Sequence, residues 1–326
     1  FYLSYINHWY YMKRNYSNIK KAKYYLDNNE CVAIPTETVY GLAGNAYSSN
    51  AVKKIFKLKK RPSFNPLIVH YSKVRDLQKD CEINQYFIKL YKKFCPGPLT
   101  FVLKLKKNSQ ISKYVTNKKK TLAVRFPKHS ITRLLLKNLN YPLAAPSANL
   151  STKVSAVEPK HINEDFGNKI KFILKGKKSK IGIESTIIDL TNKPKILRLG
   201  GLEIEKIEKE IKTKLHFKLN PKKISAPGQL KLHYSPGLPI KLNVKNANDN
   251  VAHILINKRK NDKKNFFYLS KKSDLKEAAK NLYSTLRKIK KDGYKRIAVE
   301  KIPKIGLGLS INDRLNRAAK FKWKIQ

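Results

Sequence analysis

Short apolar runs alternate with longer amphipathic stretches along the chain. No run approaches the roughly 18 unbroken apolar residues that a membrane-spanning helix needs. From Ser17 to Asn28 the spacing predicts an amphipathic helix with Ser17 as its N-cap, and Cys31–Ile34 reads as a short strand closed by Pro35. Ser48 or Ser49 can cap a second helix that sets Val52, Ile55, Phe56 and Leu58 at helical spacing. Leu67–Val69 reads as the next strand and Ile83–Phe94 as a helix, before Cys95-Pro-Gly-Pro98 breaks the chain ahead of a strand over Leu99–Leu105. Further strands are expected over Thr121–Phe126, Leu143–Ala145, Phe172–Leu174 and Thr186–Leu190, with helices near Ser130–Leu139 and Leu202–Thr213. Strands outnumber helices in an irregular order, which predicts an α/β fold built on a twisted mixed sheet rather than a repeating βαβ array.

The pattern changes between residues 215 and 239, where Pro221, Pro227, Pro236, Pro239, Gly228 and Gly237 interrupt regular structure. Linkers of this length inside compact proteins are usually functional or disordered. Beyond it, strands are expected over Val251–Ile256, Phe266–Leu269 and Arg296–Val299, and helices over Asp274–Lys291 and Ser310–Lys320. The expected organisation is a first domain over 12–214, a linker over 215–239 and a smaller α/β, Rossmann-like domain over 240–326. The chain's only methionine is Met12, and residues 1–11 do not read as a signal peptide, so the native start is expected at Met12.

Composition narrows the classes. The 326 residues are 41% hydrophobic, which excludes a disordered or fibrous chain. Cys31, Cys81 and Cys95 are odd in number and lack a CxxC pair, and the seven histidines form no HExxH, so neither a disulfide framework nor a metal site is expected and a reduced, cytoplasmic setting is the simplest reading. The net charge is +49, from 71 basic against 22 acidic residues. Such an excess invites RNA phosphates. Yet runs such as Lys20-Lys21, Lys118–Lys120, Lys177-Lys178 and Lys263-Lys264 are spread along the chain, and Lys, Asn, Ile and Tyr abound. Compositional drift therefore ranks ahead of a dedicated RNA surface, leaving weak, non-specific RNA binding at low salt.

Several segments could carry chemistry. Pro35-Thr-Glu-Thr-Val-Tyr-Gly-Leu42 sets hydroxyls and a carboxylate after a strand, although such a pattern also suits an ordinary polar turn. Lys59 and Arg61 could grip adjacent phosphates, one as a point charge and one as a fork, whereas a lone Lys-x-Arg is more commonly a solvated helix end. Alternation places Thr121, Ala123 and Arg125 on one face of a strand, and Arg125 then needs an anion, either a ligand carboxylate or a protein acid. Ser147 and Asn149 offer compact donors in a small-residue turn, and Gly182-Ile-Glu-Ser-Thr186 is a similar polar turn. There is no Walker A, GxGxxG or GxSxG pattern, so those devices do not hold a nucleotide here.

In this order the segments resemble the threonylcarbamoyl-AMP synthase family, the YrdC-like proteins. The resemblance rests on PTETVYGL at 35–42, Lys59-x-Arg61 with NPLIVH at 65–70, PGPLT at 96–100, AVRFP at 123–127, Ser147-x-Asn149 and ESTIID at 184–189. HYSP at 233–236 and GLGLSINDRLNRAA at 306–319 match the two-domain form of the family. Cys95, Leu199 and the Ser151–Ser155 turn depart from the usual residues. The resemblance implies a nucleotidyltransferase that makes threonylcarbamoyl-AMP and pyrophosphate from L-threonine, bicarbonate and ATP with Mg²⁺. Its product feeds downstream threonylcarbamoyl-transferase proteins, which form N6-threonylcarbamoyladenosine in tRNAs reading codons that start with A.

It also implies roles for residues. Lys59, Arg61, Ser147 and Asn149 would be catalytic. Arg61, Asn65, Thr121, Asn149, Ser155, Arg198 and Tyr234 would hold ATP. Thr38, His70, Arg125, Ser147 and Ser185 would surround threonine, with Arg125 on its carboxylate, while His233 and Tyr234 close over the nucleotide as a lid. Three other readings compete: a carbamoyl-adenylate-forming maturation factor, disfavoured by the lack of zinc-finger cysteine clusters, an RNA-binding module, and a structural partner.

Overall fold

The computed structural model describes residues 16–217 and 226–321. Met12, residues 1–11 and Pro221 of the linker lie outside the described residues. Among the described residues helix α1 covers 16–27, so Ser17 lies within it instead of capping it. Its Ile19, Ala22 and Leu26 form one buried stripe at helical spacing against Val32, Ile34 and Ala43.

Nine strands form the large sheet: β1 (Val32–Ile34), β2 (Gly41–Asn45), β3 (Ile68–His70), β4 (Leu99–Lys104), β5 (Thr121–Arg125), β6 (Leu143–Ala144), β7 (Phe172–Ile173), β8 (Thr186–Asp189) and β9 (Lys195–Arg198). Their order is β7-β1-β2-β6-β3-β5-β4-β8-β9, with parallel and antiparallel neighbours mixed as expected. Helices α2 (Ser49–Lys59), α3 (Val74–Asp80), α4 (Gln85–Phe94), α5 (Lys113–Thr116), α6 (Ser130–Lys137), α7 (Pro159–Phe166) and α8 (Ile204–Ile211) connect or cover them. Ser48 caps α2 by accepting from Ala51 N, and Asn84 caps α4 by accepting from Phe87 N. That second cap explains why the helix expected from Ile83 starts later.

Alternation on β5 sorts its side chains as physics requires. Leu122 and Val124 enter the main core, whereas Ala123 joins Ile68, Val102 and Ile187 on the opposite face, under Ala226 of the linker. Ile204, Ile207, Ile211 and Leu215 bury into the main core, so α8 is part of the first structural unit.

The small unit has a four-stranded parallel sheet, β10 (Ile240–Leu242), β11 (Ala252–Leu255), β12 (Phe266–Tyr268) and β13 (Ile297–Val299), in the order β10-β13-β11-β12. Helix α9 (Leu275–Lys291) is capped by Asp274, and α10 (Leu307–Ala318) starts three residues before the expected Ser310. Six of the elements named above were absent from the sequence reading: α3, α5, α7, β2, β9 and β10. The segment after Pro35 also departs from it, since β2 emerges directly from the polar turn.

Candidate active site

The sheet register gathers the candidate residues. His70 and Arg125 end β3 and β5 as paired neighbours. β4 runs antiparallel to β5 and parallel to β8, so Glu184 and Ser185, just before β8, reach the same edge. β6 runs antiparallel to β3, which carries Ser147 and Asn149 back toward the turn that leads into β3. Lys59 ends α2, and Arg61 and Asn65 occupy that turn. A cleft thus runs along β3 and β5, with one group of side chains at each end and Ile68 between them.

Three buried cations define one group. Lys59 Nζ donates to the Ser147 and Asn149 carbonyls at 2.5 Å each. Arg61 donates to Asn65 O (3.0 Å), Asn65 Oδ1 (2.6 Å) and Pro66 O (2.8 Å). Arg198 donates to the Ser185 carbonyl and hydroxyl at 2.9 and 3.1 Å. Among the described residues, no carboxylate forms a salt bridge with any of them. Burial, then Arg61 nearby, holds the Lys59 ammonium well below its ordinary pKa, and burial with repulsion from Arg198 lowers Arg61 to about 9. Buried positive charge of this kind is costly until an anion arrives.

Arg125 marks the other end. Its Nη2 pairs with Glu37 Oε1 at 2.7 Å, both side chains being buried, and Glu37 Oε2 accepts from Lys128 N. Of the two partners open to Arg125, a protein acid is therefore present. Arg125 still lines the cleft, with Thr38, His70, Ser147 and Ser185. Burial, with Arg125 beside it, pulls His70 down to about 3, so the imidazole is neutral. The Leu143 backbone lies near its ring without completing a hydrogen bond, and both ring nitrogens are buried without a partner. Asn65 Nδ2, Asn149 Oδ1 and the Tyr234 hydroxyl are also buried and unpartnered. Orphaned polar atoms grouped around one cleft are the mark of a site built for a ligand.

The remaining candidates are placed differently. Ser155 donates its hydroxyl to Glu184 Oε1 at 2.6 Å, and Thr121 lines a separate small depression beside Ala123. Lys59, Asn65 and Asn149 stand behind the cleft wall and bear on it through Ser147 and Arg61. His233 and Tyr234 line the cleft directly. Tyr234 has φ +60°, and Gly228 has φ +88°. A Cβ on Gly228 would lie 2.6 Å from Arg198 Cδ and 2.7 Å from the Tyr234 hydroxyl, so glycine is needed there on both counts. With the linker seated in this way, only about 40 Å³ of the cleft is free. Sequence reasoning gave no role to Glu184, Tyr283 or Arg314. Glu184 and Arg314 stood in quoted motifs, but their pairing across the two units is a tertiary fact.

This arrangement, a YrdC-like sheet joined by a linker to a small parallel-sheet unit, has known counterparts. A family model described as "Telomere recombination" matches residues 24–200, and one described as "Threonylcarbamoyl-AMP synthase, C-terminal domain" matches 202–320. The chain is 38% identical to the threonylcarbamoyl-AMP synthase of Pyrococcus abyssi, covering 93% of this chain and 94% of that one. It is 34% identical to the Bacillus subtilis protein of the same name, with 94% of each covered. The crystal structure of P. abyssi Sua5 complexed with L-threonine superposes with a TM-score of 0.85 at 36% identity, over 93% of this chain and 94% of that one. The chain belongs to the threonylcarbamoyl-AMP synthase family.

Proposed function

We propose that this chain is a nucleotidyltransferase that condenses L-threonine, bicarbonate and ATP into threonylcarbamoyl-AMP, releasing pyrophosphate. The observation that carries this reading is the set of buried cations, Lys59, Arg61 and Arg198, none of which forms a salt bridge with a carboxylate among the described residues. A triphosphate supplies the missing charge. The Arg125 and His70 end suits an amino acid, with Arg125 toward its carboxylate and neutral His70 and Thr38 toward its polar groups.

In the reaction the threonine amine forms a C–N bond to the carbon of bicarbonate, losing water, to give a carbamate. A carbamate oxygen then forms a bond to the α-phosphorus of ATP as the bond to the bridging oxygen of pyrophosphate breaks. Little general-base chemistry is required. Alignment of anions and stabilisation of the departing pyrophosphate dominate, which is what fixed cations and backbone-anchored donors provide. Arg61 takes that role at the cleft, Lys59 and Asn149 act behind its wall through the Ser147 turn, and Ser147 positions the carbamate against the α-phosphate.

Glu37 and Glu184, the carboxylates at the cleft, are committed to Arg125 and Arg314. Among the described residues no group of three or more His, Cys, Asp or Glu could hold a metal ion. Mg²⁺ would accompany the nucleotide substrate and offset phosphate charge there. Ser155, Thr121 and Asn65 would complete the nucleotide site once the linker has moved, since about 40 Å³ cannot take ATP when ligand sites typically offer about 300–1,000 Å³. His233 and Tyr234 would then close over the bound nucleotide and keep water from the adenylate. The division into a catalytic unit over 12–214, a linker over 215–239 and a small unit beyond is part of this reading; the small unit's core also takes in Val39, Val154, Val157 and Ile183 of the first unit and Tyr234 and Leu238 of the linker. Among the described residues no helix is long and apolar enough to cross a membrane, and a cytoplasmic location fits a product destined for tRNA modification.

The test incubates the purified chain with ATP, Mg²⁺, bicarbonate and L-threonine, following pyrophosphate and the mass of threonylcarbamoyl-AMP. Product formation that needs all three substrates is expected. ATP breakdown indifferent to threonine would refute the assignment and point to a different acceptor, and no turnover by the folded protein would favour the RNA-binding alternative.

A further inference from the structure

The small unit does more than cap the chain. Glu184, next to Ser185 in the catalytic unit, points across the domain interface. Its Oε2 accepts from Tyr283 OH at 2.8 Å and from Arg314 Nε and Nη2 at 3.3 and 3.2 Å, while Oε1 accepts from Ser155 at 2.6 Å and Tyr283 at 3.0 Å. Tyr283 lies on α9 and Arg314 on α10, both of the small unit. Arg314 is 0% exposed. Burial favours a neutral Glu184, but Arg314, Arg198 and its hydroxyl partners outweigh that and hold the carboxyl below its ordinary pKa.

The same two residues form the seat of the linker's aromatic. The Arg314 guanidinium lies 5.2 Å from the centroid of the Tyr234 ring, and the Tyr283 ring stacks on Tyr234 with centroids 5.8 Å apart and planes 21° apart. Arg317, one turn on from Arg314, donates to Leu230 O of the linker at 2.8 Å. The interface is tight enough to transmit position. A Cβ on Gly182, two residues before Glu184, would lie 2.5 Å from Lys280 Cα of α9, and Ser310 donates to Gly200 O at 2.9 Å.

We infer that Arg314 and Tyr283 are positioning residues for the reaction: from the small unit they fix Glu184 on one side and the Tyr234 ring on the other, so the linker's closed seat over the nucleotide half of the cleft is set by the domain interface. Neither residue lines the cleft, so they act through Glu184, Ser155 and Tyr234 and do not touch substrate. The inference rests on the reading above, in which Tyr234 covers a nucleotide.

The experiment uses the full chain with four substitutions: Tyr283→Phe, Arg314→Lys, Tyr234→Ala and, as a control for the site itself, Arg125→Ala. Tyr283→Phe keeps the ring on Tyr234 and removes the bonds to Glu184. Arg314→Lys keeps a cation but cannot reach Glu184 with two nitrogens. Each is expected to shift the KM for ATP about tenfold, in the direction that Tyr234→Ala shifts it, with the KM for threonine unchanged. Amide exchange over 226–239 is expected to quicken about tenfold while β5 stays as protected as in the parent.

If both interface variants leave the ATP KM and linker exchange unchanged while Tyr234→Ala alters them, the inference fails and the lid stands. If Tyr234→Ala itself leaves the ATP KM unchanged, the lid reading fails first. Equal acceleration of linker and β5 exchange would reduce the interface to general bracing and overturn the inference. Should Arg314→Lys not fold, Tyr283→Phe decides by the same two readouts.

Discussion

Replacing Arg61 with methionine should separate stability from activity. Arg61 is 8% exposed, forms no salt bridge with an acid among the described residues, and has its pKa lowered from its ordinary value to about 9 by burial and then by Arg198. A drop of that size corresponds to about 4–5 kcal/mol spent on keeping the charge in the free protein, an upper bound. Methionine removes that cost and fills similar volume. It also forfeits the bonds to Asn65 and Pro66, leaving neutral acceptors unpaired at about 1 kcal/mol or more each. The two sides nearly cancel, so the unfolding free energy should change by no more than about 2 kcal/mol. Binding of the triphosphate has no such compensation. Losing a desolvated cation opposite phosphate costs about 2–5 kcal/mol, which raises the KM for ATP about thirtyfold or more. Urea denaturation and pyrophosphate release at varied ATP measure the two quantities. A variant that loses several kcal/mol of stability yet keeps the parental ATP KM would refute the reasoning and make Arg61 a brace of its turn.

Other outcomes follow from the same site. Lys59→Ala or Arg125→Ala should abolish adenylate synthesis while leaving circular dichroism unchanged, and full turnover by either purified variant would remove that residue from the site. Acid should destabilise the free protein, because burial, with nearby cations, holds His70 at about 3 and His233 well below its ordinary value. The unfolded chain binds protons first, so their stability contribution is whole above about pH 6.5 and falls by about 1.4 kcal/mol per histidine per pH unit below it. Urea midpoints measured from pH 7 down to 5 test this, and a flat profile would contradict it. With a net charge of +49 the chain should bind unrelated RNAs alike at low salt and release them steeply as salt rises, whereas sequence-selective retention at physiological salt would reveal a dedicated surface.

Elements with a clear apolar period were legible in the sequence, and a cap sharpened the start of some of them. Helix α9 shows both, with Asp274 accepting from Lys276 N and Glu277 N at its start. β2 was hidden because Gly41-Leu-Ala-Gly-Asn45 lacks the branched residues that announce a strand. Its glycines answer to packing: a Cβ on Gly44 would press within 3.2 Å of Ile55 Cδ1 on α2. The cleft residues were legible through ordered motifs, since single fragments such as Lys59-x-Arg61 look like any helix end. Partner choice was not legible. That Arg125 meets Glu37, and that Ser155 gives its hydroxyl to Glu184, depends on strand register and on docking of the second unit, neither of which is written locally.

The position of Ala226 has a consequence for how the protein responds to supply. It is fully buried on Ile68 and Ala123, the same face along which a nucleotide would lie. On the proposed reading, the linker in this seat would compete with ATP within each molecule and would have to lift before it closed over the bound nucleotide. Apparent affinity becomes the intrinsic affinity multiplied by the fraction of chains with this segment lifted out, so a seat worth about 3 kcal/mol would lower it about a hundredfold. Residues that never meet the nucleotide, Gln229 on the Leu197 carbonyl among them, then set the ATP concentration at which the chain begins to work.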